Sequence, residues 1–141
     1  MINTERPRVR IVMERTTASR LRTLELVALV AVGGFAGANL RHAFSLALPG
    51  LTGTFTANVL GCLALGFLVY EAELHGVLSE ETGVVLGTGF LSSFTTYSTF
   101  ALEAVQSSPA VGLGYVVASY ATGFAAVLAG RRAAGALGGG E

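Results

Sequence analysis

The residues best suited to chemistry form a dense run of hydroxyl groups between Ser92 and Phe100. Seven of the first eight residues in this run are Ser, Thr or Tyr, although the run lies inside a long apolar stretch. One or two such hydroxyls can bond the carbonyls of their own helix, but seven are too many for that explanation. A helix interrupted inside a membrane is tolerated only where it is buried in protein or lines a wet path. The run therefore predicts a broken transmembrane helix whose free carbonyls face inward.

Small and polar residues recur every four positions in three other apolar stretches, which gives each stretch one narrow polar face. These faces consist of Thr54, Asn58, Cys62 and Gly66, of Tyr115, Ser119 and Gly123 with Thr122 alongside, and of Gly33, Gly37 and Arg41. The Asn58 amide can either join two helices or donate to a passing anion. Arg41 is expected to point into the bundle or toward a vestibule. The spacing predicts three polar stripes that face one interior.

Other chemistries find no support in the residue pattern. Glu25, Arg41 and Glu103 are the only charges within the apolar stretches, and neither glutamate lies beside a histidine or a second carboxylate in sequence. Neither His42 nor His75 belongs to a spacing that would bring several metal ligands to one point, so no metal site of convergent side chains is expected. We expect neither an enzyme nor a nucleic-acid-binding protein.

Composition indicates a membrane protein. Of 141 residues, 52% are hydrophobic and only 13% are charged, whereas a soluble domain has about a quarter of its residues charged. Four apolar segments each come near the roughly 20 residues that cross a hydrocarbon core. They cover approximately residues 24–48, 54–70, 82–106 and 109–130. The predicted fold is an all-α membrane protein with four transmembrane helices, the third broken at mid-membrane, within a domain over residues 23–130.

Local signals set the ends of these helices. Pro49-Gly50 is expected to end the first helix, and Ser79 suits the N-cap of the third. Ser108-Pro109 supplies an N-cap and a first-position proline for the fourth. Because the connections are short, successive spans must run antiparallel. Small residues four apart (Gly33 and Gly37, Gly83 and Gly87, Ser119 and Gly123) predict close helix packing.

The chain ends are predicted to be tails. Residues 1–22 hold six arginines and two glutamates, and we expect a disordered cytoplasmic segment in which Met13 is an alternative start. Residues 131–141 form a short glycine-rich C-terminal tail. A multi-pass protein of the cell membrane with both termini in the cytoplasm is the expected arrangement.

Four motifs, in order and at the expected spacing, resemble those of the Fluc/CrcB family of fluoride ion channels. Residues 33–41 are similar to its first-helix glycine and arginine motif, and residues 53–61 to its second-helix motif, which contains the pore asparagine, here Asn58. Residues 89–100 followed by Glu103 are similar to its third-helix motif, and Tyr115 with Ser119 to the fourth. The resemblance covers nearly the whole apolar region and implies passive, fluoride-selective efflux that lowers cytoplasmic fluoride.

The resemblance also implies how the channel is built. Two subunits form an antiparallel dual-topology dimer with two pores, each built from both subunits. The expected fluoride pathway consists of Asn58, Tyr97, Phe100, Ser98, Thr99, Tyr115 and Ser119, with Arg41 and Glu103 at a vestibule or a helix contact. A structural Na⁺ at the dimer centre is implied, held by backbone carbonyls at Ser92 and Thr95. The chain departs from the family at Ser92-Ser93, where two glycines are usual, and at Tyr97, where phenylalanine is usual.

Two other functions remain open on the residues alone. A small multidrug-type exporter also has four short helices, but it needs a carboxylate inside the membrane, and Glu25 lies near the start of its span. A non-conducting scaffold subunit would use the glycines for packing only, and the hydroxyl-rich run argues against it.

The arginines predict one fixed orientation in the membrane. With the N-terminus inside, eight arginines lie on the cytoplasmic side and Arg41 alone lies near the other face; from Met13 the ratio is still five to one. Arginines close to the spans set orientation most strongly. A homodimer of antiparallel subunits needs a chain that inserts both ways, so this bias favours an oppositely inserted paralogue as the partner. Tyr97 and Ser92-Ser93 would then reflect a subunit whose partner supplies the missing features.

We therefore predict that tags on both termini are accessible from the cytoplasmic side only. The measurement is whole-cell labelling of tagged variants before and after permeabilisation. Equal labelling of one tag from both sides would contradict fixed insertion and favour the homodimer.

Overall fold

The computed structural model describes residues 5–74, 76 and 79–138, and the regular structure in these residues is entirely helical. In chain order the elements are α1 (Glu5–Ala47), α2 (Leu51–Leu74), α3 (Glu80–Val84), a π-helical segment (Val85–Leu91), α4 (Ser92–Phe94), α5 (Tyr97–Gln106) and α6 (Pro109–Gly138). The predicted all-α class is confirmed. The elements from α3 to α5 together form the third predicted span, and we refer to them as the third span.

Within the described residues, three helical stretches are long and apolar enough to cross a bilayer. They are Ser19–Ala47, Leu51–Ala72 and Pro109–Ala136. The third span contains no helix of that length, because its backbone leaves the helical path between Phe94 and Tyr97. The predicted break is thus confirmed, and it falls at Thr95 and Thr96.

The first and last helices are longer than we expected. The backbone is helical from Glu5, where a disordered tail over residues 1–22 was expected, and α6 continues to Gly138 rather than ending near Gly130. The physical reason is that arginine and alanine are good helix formers, and Pro7 lies in the first turn, where its missing N–H breaks no helical bond. Residues 1–4 and 139–141 lie outside the described residues. The division into tails and a 23–130 domain stays a prediction.

Helix α1 packs in parallel against the third span through its glycines. A Cβ atom on Gly33 would collide with the Val85 carbonyl, and a Cβ atom on Gly37 would collide with the Phe90 carbonyl. Near the start of the bilayer-crossing part of α1, Arg22 Nη2 lies 3.8 Å from Glu81 Oε1 at the start of the third span. The predicted packing role of this glycine pair is confirmed.

Helices α2 and α6 form a second parallel pair. A Cβ atom on Gly66 would overlap the Val127 backbone, and one on Gly130 would overlap the Leu63 carbonyl. Close backbone approach of this kind is how helices gain contact in lipid, where apolar side chains alone provide little drive for association. Consecutive spans run antiparallel, as predicted, but the four glycine contacts named above join alternate spans.

The predicted end of the first helix and the predicted starts of the third and fourth spans are observed. Ser79 adopts extended angles (φ −63°, ψ 156°), and its hydroxyl accepts a hydrogen bond from Thr82 N at 3.2 Å. Helix α6 begins at Pro109, and Gly50 after α1 has a φ of 72°. Gly83 and Gly87 differ from the Gly33–Gly37 pair, since added Cβ atoms there would meet no atom of the described residues within 4 Å. Their predicted packing is therefore not made within this chain.

Candidate functional site

The third span breaks because two consecutive residues are extended. Thr95 has φ −83° and ψ 161°, and Thr96 has φ −150° and ψ 126°. Both the backbone N–H and the hydroxyl of Thr95 donate to the Leu91 carbonyl, at 3.0 and 2.9 Å, which ends α4. The Thr96 hydroxyl then accepts from Thr99 N at 3.3 Å and caps α5. Threonine suits both ends, since its hydroxyl can replace a backbone partner.

Asn58 on α2 bonds both sides of the Thr96 peptide backbone. Its Oδ1 accepts from Thr96 N at 2.8 Å, and its Nδ2 donates to Thr96 O at 2.9 Å. These two hydrogen bonds, which we call the Asn58–Thr96 bridge, replace helical bonds that the extended backbone cannot make. One N–H of the Asn58 amide is left over, since Nδ2 carries two hydrogens. Asn58 therefore joins helices and still has a donor, so both roles considered for it are compatible with its geometry.

Two carbonyls at the break lose their helical donors to side-chain acceptors. In an uninterrupted helix the N–H of Thr96 would donate to Ser92 O, and the N–H of Thr99 would donate to Thr95 O. Both amides instead donate to side chains, Asn58 Oδ1 and Thr96 Oγ1. The carbonyls of Ser92 and Thr95 thereby lose their usual helical donors.

The π-helical segment before the break was not foreseen from sequence. Ser92 N–H donates to the Gly87 carbonyl, five residues back, and the Ser92 hydroxyl donates to the Thr88 carbonyl. A widened turn leaves a carbonyl without its regular donor, and a serine side chain can supply one. The angles of Ser92 are ordinary helical values (φ −64°, ψ −27°), and among described residues positive φ angles occur only at glycine. Serine is thus compatible with a position where the family usually has glycine.

A groove of about 540 Å³ opens beside the bridge. Six residues of its lining come from the predicted sites: Asn58, Ser92, Thr95, Tyr97, Phe100 and Ser119. The Ser119 hydroxyl is buried and has no hydrogen-bond partner among the described residues. The groove therefore offers amide, hydroxyl and aromatic groups together, without a charged side chain in its lining.

A smaller cavity of about 290 Å³ contains the predicted vestibule residue. Arg41, His42, Thr54, Thr96 and Thr99 contribute to its lining. Arg41 Nε is buried and has no hydrogen-bond partner in the described part of the chain. Thr96 lines both the cavity and the groove, so the break borders both spaces.

Glu103 holds three helices together. Its Oε1 accepts from the Thr54 hydroxyl on α2 at 3.0 Å, and its Oε2 accepts from the Tyr115 hydroxyl on α6 at 3.1 Å. A carboxyl group at a transmembrane interface needs such partners, because an unsatisfied one is costly in lipid. Of the two roles considered for Glu103, the structure places it at a helix contact.

The predicted site residues do not all meet. Asn58, Tyr97, Phe100 and Ser119 line the groove, and Thr99 lines the cavity. The remaining two are placed elsewhere: Tyr115 is buried against Phe100 and Glu103, and Ser98 is exposed.

Sequence reasoning missed two residues at this site. Thr96 was noted only as one hydroxyl among many, although it carries the bridge and touches both spaces. Tyr120, which packs against Phe100, was not considered. The sequence signal for Thr96 was that of an N-cap: it is a threonine directly before the helix that begins at Tyr97, and Thr99, whose N–H it accepts, follows three residues later.

Bilayer-crossing helices, a broken third span and a polar groove define this chain as a multi-pass α-helical membrane protein. Residues 28–131 match the family described as CrcB-like protein, Camphor Resistance (CrcB). The chain belongs to that family, which confirms the resemblance drawn from its four motifs.

Several curated relatives are identical to this chain at about half of the aligned positions. Fluoride-specific ion channel FluC 1 of Haloarcula marismortui is 55% identical over 111 residues, covering 79% of this chain and 87% of the relative. The protein of the same name from Natronomonas pharaonis is 51% identical over 107 residues, with 74% and 90% covered. Fluoride-specific ion channel FluC 2 of Halobacterium salinarum is 51% identical over 105 residues, with 74% and 82% covered.

The Glu103 contacts lead to a stability prediction. Tyr115→Phe removes a hydrogen bond to the carboxyl group while preserving the ring, and it should lower the free energy of unfolding by about 0.6 to 2 kcal/mol. The measurement is unfolding by SDS titration in mixed micelles. Tyr120→Phe is the matched control, since that exposed hydroxyl makes no hydrogen bond within the described residues. Equal stability of Tyr115→Phe and wild type would show that the bond contributes nothing.

Proposed function

We propose that this chain is a subunit of a fluoride-selective ion channel that lets fluoride leave the cell passively. The observation that carries the proposal is the groove, which brings the leftover Asn58 donor and the unpaired Ser119 hydroxyl together with Tyr97 and Phe100. Relatives that are 51% to 55% identical are named fluoride-specific ion channels. As ion channels are not an enzyme class, no catalytic role is proposed.

The groove chemistry suits a small, strongly hydrated anion. Removing water from such an ion without replacement costs tens of kcal/mol on the Born scale. The Asn58 amide and the Ser119 hydroxyl can replace part of the water shell, and the positive edges of aromatic rings can face an anion without holding it tightly. The sequence contains no lysine, and the groove lining has no fixed positive charge on which an anion would stall.

The cavity next to the break suits the collection of anions. Arg41 provides a permanent positive charge in its wall, and the hydroxyls of Thr54 and Thr99 lie in the same lining. A charged wall raises the local concentration of the opposite ion and thereby its rate of entry. An anion gathered there would reach Thr96 and then the uncharged groove.

A second subunit is proposed to complete each pore. Within a single chain, 73% of the Tyr97 surface is exposed, and the Gly83–Gly87 face is open. A bilayer would cover these with lipid, and only another protein chain can turn the groove into a closed path. We propose an antiparallel dimer in the cell membrane, with both termini of this chain in the cytoplasm. The arginine distribution favours an oppositely inserted paralogue over a second copy of this chain as the partner.

The break is a suitable place for the proposed structural sodium ion. Na⁺ is a hard cation that prefers oxygen ligands, and the carbonyls of Ser92 and Thr95 have lost their helical donors. Both residues also line the groove, so their region is accessible from it. Two subunits would contribute four carbonyls of this kind. The ion would be coordinated by these oxygens and would hold the broken third spans of the two subunits together.

The proposal predicts passive fluoride efflux that depends on Asn58. Liposomes containing the channel, as a homodimer or with its paralogue, should release fluoride without ATP or a proton gradient, measured with a fluoride electrode. Asn58→Asp should reduce this flux more than about a hundredfold, because a charge 4 Å from an anion repels it by about 4 kcal/mol at an effective dielectric of 20. The variant should still fold, since a carboxylate can accept from Thr96 N.

The control variant is Asn39→Asp. Asn39 is exposed on α1 and donates to the Phe35 carbonyl of its own helix, away from the groove. It should retain wild-type flux. Flux that requires a proton gradient would indicate an exporter, and absence of flux with every partner would indicate a scaffold. Wild-type flux in Asn58→Asp would remove Asn58 from the path.

A further inference from the structure

Tyr120 on α6 contacts the Phe100 ring with its own ring plane almost perpendicular to it. The two ring centroids are 6.2 Å apart and the ring planes meet at 85°, an edge-to-face arrangement. Tyr97 and Tyr115 approach the same ring at 6.0 and 5.1 Å, each tilted by 45°. Phe100 therefore has three tyrosine neighbours, and only the Tyr120 contact is close to perpendicular.

The exposure of Phe100 shows what it presents to the groove. Its side chain lines the groove, yet only 8% of its surface is exposed. A ring that turned a whole face to the groove would expose far more, so only a small part of this side chain reaches the open space. The rim of an aromatic ring carries the positive part of the quadrupole. Rotation about the Cβ–Cγ bond would change which part of the ring is turned toward the groove.

The neighbours of Phe100 are not equally able to prevent that rotation. Tyr115 is held by its hydrogen bond to Glu103, and it supports the ring from the buried side. Tyr97 is 73% exposed and lies three residues before Phe100 on the same helix. Tyr120 is 53% exposed, lines the groove, and its ring contact is with Phe100. Of the two α6 tyrosines that contact Phe100, Tyr120 is the one that also lines the groove.

We infer that Tyr120 is a positioning residue that holds the Phe100 ring with its rim toward the groove, and thereby sets the preference for fluoride over larger anions. This inference rests on the proposed function. A fixed rim favours a small anion that can approach it closely, whereas a freely turning ring presents its negative face for part of the time. The Tyr120 hydroxyl is not needed for this role, because the contact is made by the ring.

The test compares Tyr120→Leu, Tyr120→Phe and Phe35→Leu with wild type in liposomes. Fluoride and chloride efflux are measured with ion electrodes. Tyr120→Leu should lower the fluoride-to-chloride flux ratio roughly two- to tenfold, the range expected for loss of one aromatic pair. Tyr120→Phe should keep the wild-type ratio. Phe35→Leu should keep it too, since Phe35 is an exposed aromatic residue that lines neither the groove nor the cavity.

A second readout does not depend on transport. NMR of ring-labelled Phe100 in detergent should show slow ring flips in wild type and in Tyr120→Phe, and fast flips in Tyr120→Leu. If Tyr120→Leu fails to fold, Tyr120→Met takes its place with the same expected results.

The outcomes separate the inference from the proposed function. A wild-type flux ratio in Tyr120→Leu, or equally slow ring flips, would overturn the positioning role and leave the channel intact. An equal loss in Tyr120→Phe would also overturn it, because the hydroxyl rather than the ring would then matter. Wild-type protein that conducts no fluoride would overturn the proposed function, and the inference with it.

Discussion

The structure depends on the two hydrogen bonds between Asn58 and the Thr96 backbone. An extended pair of residues inside an apolar span leaves backbone groups that lipid cannot satisfy, and each such group costs several kcal/mol. Asn58 satisfies the donor and the acceptor of Thr96 at once. The break and the freed carbonyl of Ser92 depend on this bridge, whereas the Thr95 carbonyl is freed by the Thr96 hydroxyl that caps α5.

The bridge requires that α2 stay in register with the third span, and the glycines fix the helix pairs to which these two elements belong. Gly33 and Gly37 bring α1 onto the π-helical segment, while Gly66 and Gly130 bring α6 onto α2. The two pairs are then joined by polar contacts, Asn58 to Thr96 and Glu103 to Thr54 and Tyr115. Glycine packing sets the backbone positions within each helix pair, and these few hydrogen bonds hold the two pairs together. The Ser119 hydroxyl has no hydrogen-bond partner among the described residues, and Ser119 lies in the lining of the groove.

Much of the fold was readable from the sequence, because lipid restricts the choices. Apolar length predicted the spans, seven hydroxyls in eight residues predicted the break, and spacing by four predicted the faces of α1, α2 and α6. The helical extensions at both ends, the π-helical segment, and the roles of Thr96 and Tyr120 were not readable. The helical extensions follow from the helix propensity of arginine and alanine, whereas the other features depend on particular contacts, such as the Ser92 hydroxyl on the Thr88 carbonyl or Tyr120 on Phe100.

The most direct test of the bridge is amide hydrogen exchange at Thr96, measured by NMR in wild type and in Asn58→Leu. In wild type we expect Thr96 to be protected like Thr95, whose N–H bonds the Leu91 carbonyl. In Asn58→Leu, protection of Thr96 should fall about tenfold or more, the loss expected for one buried hydrogen bond, while Thr95 stays unchanged. Rapid exchange of Thr96 in wild type, or equal protection in the variant, would contradict the view that Asn58 holds the break.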